Sequence, residues 1–226
     1  DLVIGTHALL NEKLKFKNLS LVITDEQHRF GVNQRNLLQN KGAHGQADVL
    51  YLSATPIPRT YALTIYGDLD VSQIKTKPNS RKEIKTKVIN EKNIKEVLLK
   101  MLEELKLNHQ IFVVSPLIEQ NEEIDLNSVK LLKEKMNIAF NNKVPIEILH
   151  GKLKQQEKDK LMNDFQSGKI KVLISTTVIE VGINIPNASM IVVFNAERFG
   201  LATLHQLRGR VGRSDIQSYC YLVTKD

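Results

Sequence analysis

Two rhythms of hydrophobic and polar positions run through the chain. Short runs of aliphatic and β-branched residues alternate with longer stretches in which apolar residues return every three or four positions, the pattern of a parallel sheet covered by helices. The runs predict strands at Leu2 to Gly5, Leu19 to Thr24, Val49 to Leu52, Lys85 to Ile89, Gln110 to Ser115, Ile146 to Leu149, Lys171 to Ser175, Met190 to Phe194 and Ser218 to Val223. Between them, Ile94, Val97, Leu98, Met101, Leu102 and Leu105 share one helical face, with Asn90 as the expected N-cap and Asn108 as the expected stop. A second helix is expected to turn Val129, Leu132, Met136, Ala139 and Phe140 inward. A third is expected from about Lys154 to Phe165, ended by Gly168.

Around Thr76-Lys77-Pro78-Asn79-Ser80-Arg81 the apolar period lapses and a proline intervenes, the composition of a connection between domains. This predicts one domain over residues 1–76 and another over 77–226. Six predicted strands follow the connection, enough for a complete small α/β domain. Three precede it, too few for a doubly wound sheet of the usual size, so the front part is expected to be truncated. The chain opens on Asp1 and a strand-like run rather than a methionine, and its first residue is therefore expected to be an artificial boundary.

Composition changes the picture only modestly. Among the 226 residues Lys and Arg outnumber Asp and Glu by 32 to 25, a net charge of +7 that favours a polyanionic partner such as DNA or RNA. The lysines are spread along the chain, so a plain basic surface explains the excess about as well. No apolar stretch reaches the roughly 18 residues of a membrane span, and the start is unlike a signal peptide, so a cytoplasmic location is expected. The single cysteine, Cys220, sits in the run Ser218-Tyr219-Cys220-Tyr221-Leu222-Val223 and is expected to be a buried strand thiol with no chemistry. The 6 histidines have no metal-ligand spacing with it or with one another.

Three motifs carry chemistry. Asp25-Glu26-Gln27-His28 follows an apolar run directly, and in an open parallel sheet the carboxyl ends of strands line the ligand crevice. One acid can hold Mg²⁺ on phosphates through its water shell while its neighbour activates the attacking water. An isolated Asp-Glu pair is more often a solvated turn. Ser53-Ala54-Thr55-Pro56 ends the next run, where small hydroxyl residues can bond to the neighbouring acids and sense phosphate. Alone it says little, but its spacing from the acids strengthens both.

The strongest motif is Gln206-Leu207-Arg208-Gly209-Arg210-Val211-Gly212-Arg213. Interleaved glycines and crowded like charges are poor design for a helix that has only to be stable. Arginine forks match phosphate oxygens and can neutralise charge as a terminal phosphoryl group leaves. A further set, Gly5-Thr6-His7-Ala8, His150-Gly151-Lys152 and Ser175-Thr176-Thr177, places small, hydroxyl or basic residues after predicted strands, suited to a nucleic-acid backbone.

In order and spacing, these segments resemble motifs Ib to VI of superfamily 2 helicases. More narrowly, Asp25-Glu26-Gln27-His28-Arg29-Phe30-Gly31-Val32, Thr55-Pro56-Ile57-Pro58-Arg59-Thr60, Thr64-Ile65-Tyr66-Gly67-Asp68-Leu69 and Glu197-Arg198-Phe199-Gly200-Leu201 resemble the RecG family of branched-DNA helicases. The transcription-repair coupling factor Mfd is similar, but typically has Glu where Gln27 stands and lacks the Ile-Tyr-Gly-Asp segment. The resemblance implies two RecA-like lobes of parallel sheet flanked by helices, ATP and Mg²⁺ as cofactors, and branched duplex DNA as partner. It implies that Asp25 positions Mg²⁺, that Glu26 activates water, and that Arg210 and Arg213 are arginine fingers. Gln27, His28, Ser53 and Thr55 would couple hydrolysis to movement.

By the same resemblance Gln206, Gly182 and Asn184 would lie by the nucleotide, and Thr6, His7, His150, Lys152, Thr176 and Thr177 along the DNA. Asn184 stands where these helicases usually have Asp, replacing a carboxylate by an amide. No G-x-x-x-x-G-K-[ST] loop occurs in the 226 residues, so by itself the chain is expected to bind ATP poorly and to be inactive. The alternative reading is a non-catalytic nucleic-acid-binding module with a helicase-like lobe. A DEAD-box RNA helicase is a weaker option, because Gln27 rather than Ala follows Glu26.

Overall fold

A computed structural model describes residues 1–11, 13–26, 37, 47–53, 70–74, 76, 81–116, 122–176 and 184–225. The chain divides into two compact units, residues 1–71 and 72–226.

In the first unit, β1 (Leu21–Asp25) pairs in parallel with β2 (Asp48–Leu52), with Ile23 opposite Leu50 and Asp25 opposite Leu52. Val22 and Thr24 are buried, whereas Leu21 and Ile23 on the other face are exposed. The strand expected at Leu2 to Gly5 does not form. Those residues are irregular and exposed, with Leu2 at 83% and Ile4 at 86%, and a 3₁₀ turn follows over His7–Leu10. An apolar run becomes a strand only where a neighbouring strand takes up its backbone groups, and pattern cannot supply that neighbour.

The second unit holds a 6-stranded, all-parallel sheet in the order β3-β8-β7-β4-β6-β5. The strands are β3 (Lys85–Asn90), β4 (Gln110–Val114), β5 (Ile146–Leu149), β6 (Val172–Ser175), β7 (Ala188–Val193) and β8 (Tyr219–Thr224). Among the described residues four helices accompany them: α1 (Ile94–Lys106), α2 (Glu122–Ala139), α3 (Gln155–Gln166) and α4 (Leu201–Arg208). Alternation along the strands separates two cores. Ile111, Val113, Met190 and Val192 pack with Val97 and Met101 of α1 and Val129 and Met136 of α2. Phe112, Val114, Ile191 and Val193 face the opposite way, against Phe165 of α3 and Leu207 of α4. Burial on both faces explains why these strands read as unbroken apolar runs.

Local sequence sets the boundaries. The Asn90 side chain accepts the Lys92 N–H and caps a 3₁₀ turn over Glu91–Asn93 that leads into α1. The Glu157 carboxylate accepts the Lys154 N–H at 2.9 Å, fixing the start of α3. Beyond α3 the chain turns at Gly168, φ +78°, a conformation glycine adopts without strain. Ala139, expected inward, is exposed at the last position of α2, and the chain beyond it turns Phe140 into the core instead.

One break in register has a visible purpose. Gln110 pairs with Ala188 and Ile111 with Met190, so Ser189 is the extra residue of a bulge. Its hydroxyl donates to Glu104 at 2.6 Å. Glu104, on the otherwise apolar face of α1, is buried, and its carboxylate also meets His109 Nδ1 at 2.8 Å and Lys100 Nζ at 3.0 Å. Desolvation pushes the carboxyl upward, but the bonds from Ser189, His109 and Lys100 outweigh it and hold Glu104 below its usual range.

Candidate functional site

Asp25 is the last residue of β1, and Glu26 follows at the carboxyl end of the strand, the edge where open parallel sheets bind ligands. Asp25 is exposed while Glu26 is 9% exposed, so adjacent acids stand in different surroundings. Glu26 has φ +51°, a left-handed backbone that a residue with a long side chain adopts at a cost. Its N–H donates to the Asp25 carboxylate at 2.9 Å, which holds the turn. An exposed carboxylate suits a hydrated Mg²⁺ that keeps most of its water. Among the described residues no cluster of three or more His, Cys, Asp or Glu could hold a metal without such help.

The second unit carries its candidates at opposite ends of one sheet. His150 follows β5 and Thr176 follows β6, and Thr176 N–H donates to Leu149 O at 3.3 Å, so both lie at the carboxyl edge. Thr176 is buried at 6% exposure, and Lys152 is exposed two residues beyond His150. His150 is half-buried, and its buried Nδ1 has no hydrogen-bond partner among the described residues. Burial first, then the charges of Lys130, Lys152 and Lys158, hold its pKa below the ordinary value against a smaller opposing effect of Glu157. Lys130 of α2 and Lys158 of α3 thus join the expected pair of His150 and Lys152. Sequence reading missed them because a lone lysine on a helix carries no pattern.

Arg210 and Arg213 lie in the turn between α4 and β8, and that turn leads into the amino edge of the sheet. Strands of four to six residues separate the two edges by roughly 13–20 Å at about 3.3 Å per residue. The helix stops at Arg208, whose guanidinium meets His205 Nδ1 at 3.3 Å, so the other two arginines sit outside helical geometry. Arg210 is buried at 6% exposure, while Arg213 is partly exposed and donates from Nε to Gly209 O at 3.1 Å. Burial and the charge of Arg81 hold the Arg213 pKa below its ordinary value. Gln206 is half-buried on α4. Asn184 is exposed ahead of β7, and Ser214 donates to Pro186 O at 2.8 Å, tying the arginine turn to the Asn184 segment.

Other expected residues are placed in part or not at all. Thr6 is not at a strand end: it caps the 3₁₀ turn, its hydroxyl 3.5 Å from Ala8 N. Ser53 is exposed one residue beyond β2. Gln27, His28, Thr55, Thr177 and Gly182, and the side chain of His7, lie outside the described residues. Taken each by itself, an acid pair at a strand end suits a hydrated metal ion, and a turn rich in guanidinium suits phosphate oxygens. The glycine-rich cradle that usually holds the phosphates has no counterpart in the 226 residues.

Comparison with known proteins gives the family. The family described as helicase conserved C-terminal domain matches residues 75–215, and that described as DEAD/DEAH box helicase matches residues 1–64. The ATP-dependent DNA helicase RecG of Staphylococcus epidermidis is 50% identical over 224 residues, covering 99% of this chain and 32% of the relative. That of Streptococcus pneumoniae is 49% identical over 223 residues, covering 99% and 33%. The chain therefore spans about a third of the length of the curated relatives it matches. A solved structure of RecG bound to a three-way DNA junction is 46% identical with a TM-score of 0.75, covering 99% of this chain and 28% of that one. Saccharomyces cerevisiae Dbp5 bound to RNA and ADP BeF3 has a TM-score of 0.62 at 22% identity, covering 97% and 57%, a likeness of fold alone. The chain thus belongs to the helicase conserved C-terminal domain family and is of the RecG type within superfamily 2.

Proposed function

We propose that these residues are the later part of an ATP-driven DNA motor that remodels branched duplex DNA in the cytoplasm. The observation that carries the reading is the 50% identity to RecG along 99% of the chain. It is supported by the acid pair at a strand end and the arginine turn, features that a binding module would have no need to keep.

ATP with Mg²⁺ supplies the phosphoanhydride bond whose cleavage drives the cycle. Asp25 would hold Mg²⁺ through its water shell, and the ion would neutralise charge on the phosphates. Glu26, largely removed from solvent, accepts a proton from the attacking water as the bond to the terminal phosphorus forms. Arg210 and Arg213 offset the charge that develops on the leaving oxygens. Gln206, Gly182 and Asn184 contact the nucleotide, with Asn184 offering an amide in place of a carboxylate. Gln27, His28, Ser53 and Thr55 couple the state of the phosphates to the DNA contacts. Thr6, His7, His150, Lys152, Thr176 and Thr177 hold the backbone of the DNA, positioning it without reading sequence. Residues 1–76 and 77–226 act as two lobes that close on ATP and reopen after hydrolysis.

The test is ATP hydrolysis by the full-length gene product on a three-way DNA junction, beside Glu26→Gln. The expected result is a loss of about 10²–10⁴-fold in turnover with ATP binding retained. Equal turnover in the two proteins would reject the role of Glu26.

A further inference from the structure

The stretch that leads into β3 and the turn that carries the arginines are fastened to each other at several points. Lys85 N–H donates to Ser218 O at 2.9 Å, beginning the β3–β8 ladder. The Gln217 side-chain amide donates twice, to Glu83 O at 2.8 Å and to Ser218 O at 3.1 Å. The Ser218 hydroxyl is buried and accepts the Gly212 N–H at 3.1 Å, while it donates to Ile216 O at 3.3 Å. Gly212 has φ +74°, and a Cβ built there would lie 2.8 Å from Ile84 Cγ1. Ile84 thus packs directly on the peptide that precedes Arg213, and only glycine permits both the backbone and the contact.

We propose that Ile84, Gln217 and Ser218 are positioning residues for Arg213, a latch that makes residues 83–85 and the arginine turn one rigid piece. The inference rests on the reading of Arg213 as the group that neutralises phosphate charge. Arg213 follows Gly212 on a turn that also holds Gly209, and its Nε donates to Gly209 O within that turn. The Ser218 hydroxyl and Ile84 fix the Gly212 peptide from which Arg213 projects, and so set where its side chain starts relative to the sheet. The charge of Arg81, felt at Arg213, fits the same closeness of the two segments. Because residues 81–85 follow the first unit along the chain, the latch ties that stretch to the peptide that carries Arg213. A small misplacement of such a group costs rate rather than ground-state affinity.

The experiment uses the full-length gene product in steady-state ATP hydrolysis with junction DNA. The variants are Arg213→Ala, Gln217→Met, which keeps shape and loses the donor, Ser218→Ala, and the double variant Gln217→Met with Arg213→Ala. The expected result is a kcat lowered about 10-fold in Gln217→Met and Ser218→Ala, with KM for ATP within about 2-fold of wild type and Tm preserved. Ser218→Thr, which keeps the hydroxyl, should restore much of the rate. The double variant should be no slower than Arg213→Ala alone, since Gln217 acts through Arg213. Wild-type kcat in both latch variants, with Arg213→Ala slow, overturns the latch and leaves the motor reading intact. Wild-type kcat in Arg213→Ala overturns the motor role of Arg213 and the latch with it. Should Gln217→Met melt early, Ser218→Ala and its threonine rescue decide the matter; loss of rate that Ser218→Thr does not recover counts against the latch.

Discussion

Glu26 donates its backbone N–H to the carboxylate of Asp25, 2.9 Å away, from a left-handed φ of +51°. That bond compensates in part for the strained backbone and turns the neighbouring acids in different directions, one to solvent and one inward. Adjacent carboxylates that pointed alike would repel each other. Separated, each can take its own part in phosphate chemistry.

Asp25→Asn tests that division. The amide keeps the size of the side chain and loses the charge that attracts a hydrated metal ion. The Mg²⁺ concentration needed for half-maximal hydrolysis by the full-length gene product should rise about 10–100-fold, measured by Mg²⁺ titration at fixed ATP. An unchanged half-point removes Asp25 from the metal's surroundings.

The Glu104 network concerns stability. Glu104→Ala leaves Lys100 with Glu103 alone and the buried Ser189 hydroxyl without its acceptor, so chemical denaturation should show a loss of about 1–3 kcal/mol. The folded carboxyl lies below its unfolded value, so the unfolded chain binds the extra proton as pH falls. Its contribution is complete above the unfolded carboxylate value and disappears as pH falls through the lower folded one. Unfolding midpoints followed downward from neutral pH should show this acid-side loss in the wild type and not in Glu104→Gln.

His150 has the opposite chemistry and the same sign. Its folded imidazole resists protonation, so as pH falls through the ordinary imidazole value of about 6.5 the unfolded chain takes up a proton that the folded one declines, and stability falls. His150→Gln should flatten that part of the profile. A bound phosphate favours the imidazolium, so DNA affinity should strengthen over the same descent in wild type only. Lys152→Ala should weaken binding uniformly and reduce the salt slope by about 1. Unaltered pH and salt dependence in both variants would remove this edge from the DNA path.

Much of the second unit was legible because its inner strands β4, β6 and β7 are buried on both faces and its helices on one. Val97 and Met101, expected in the core, are fully buried, and the strands after residue 81 fall where the apolar runs put them. Failures came where a neighbour decides the outcome. Leu2 to Gly5 has strand composition and no strand, because no described residue pairs with its backbone. β7 begins at Ala188, two residues before the predicted Met190, because a bulge at Ser189 lengthens it. Glu104 escaped notice because a buried acid inside an apolar stripe looks, in one dimension, like an interruption. The chemical motifs were readable as types, but the separation of His150 and Thr176 from the arginines, at opposite edges of one sheet, needs the strand order and direction.

The most direct measurement is a structure of the full-length gene product with a non-hydrolysable ATP analogue, Mg²⁺ and junction DNA. The account predicts the carboxylates of Asp25 and Glu26 on one side of the terminal phosphate and the guanidinium groups of Arg210 and Arg213 on the other, each in direct or one-water contact. A closed complex in which either pair turns away from the phosphates would contradict it.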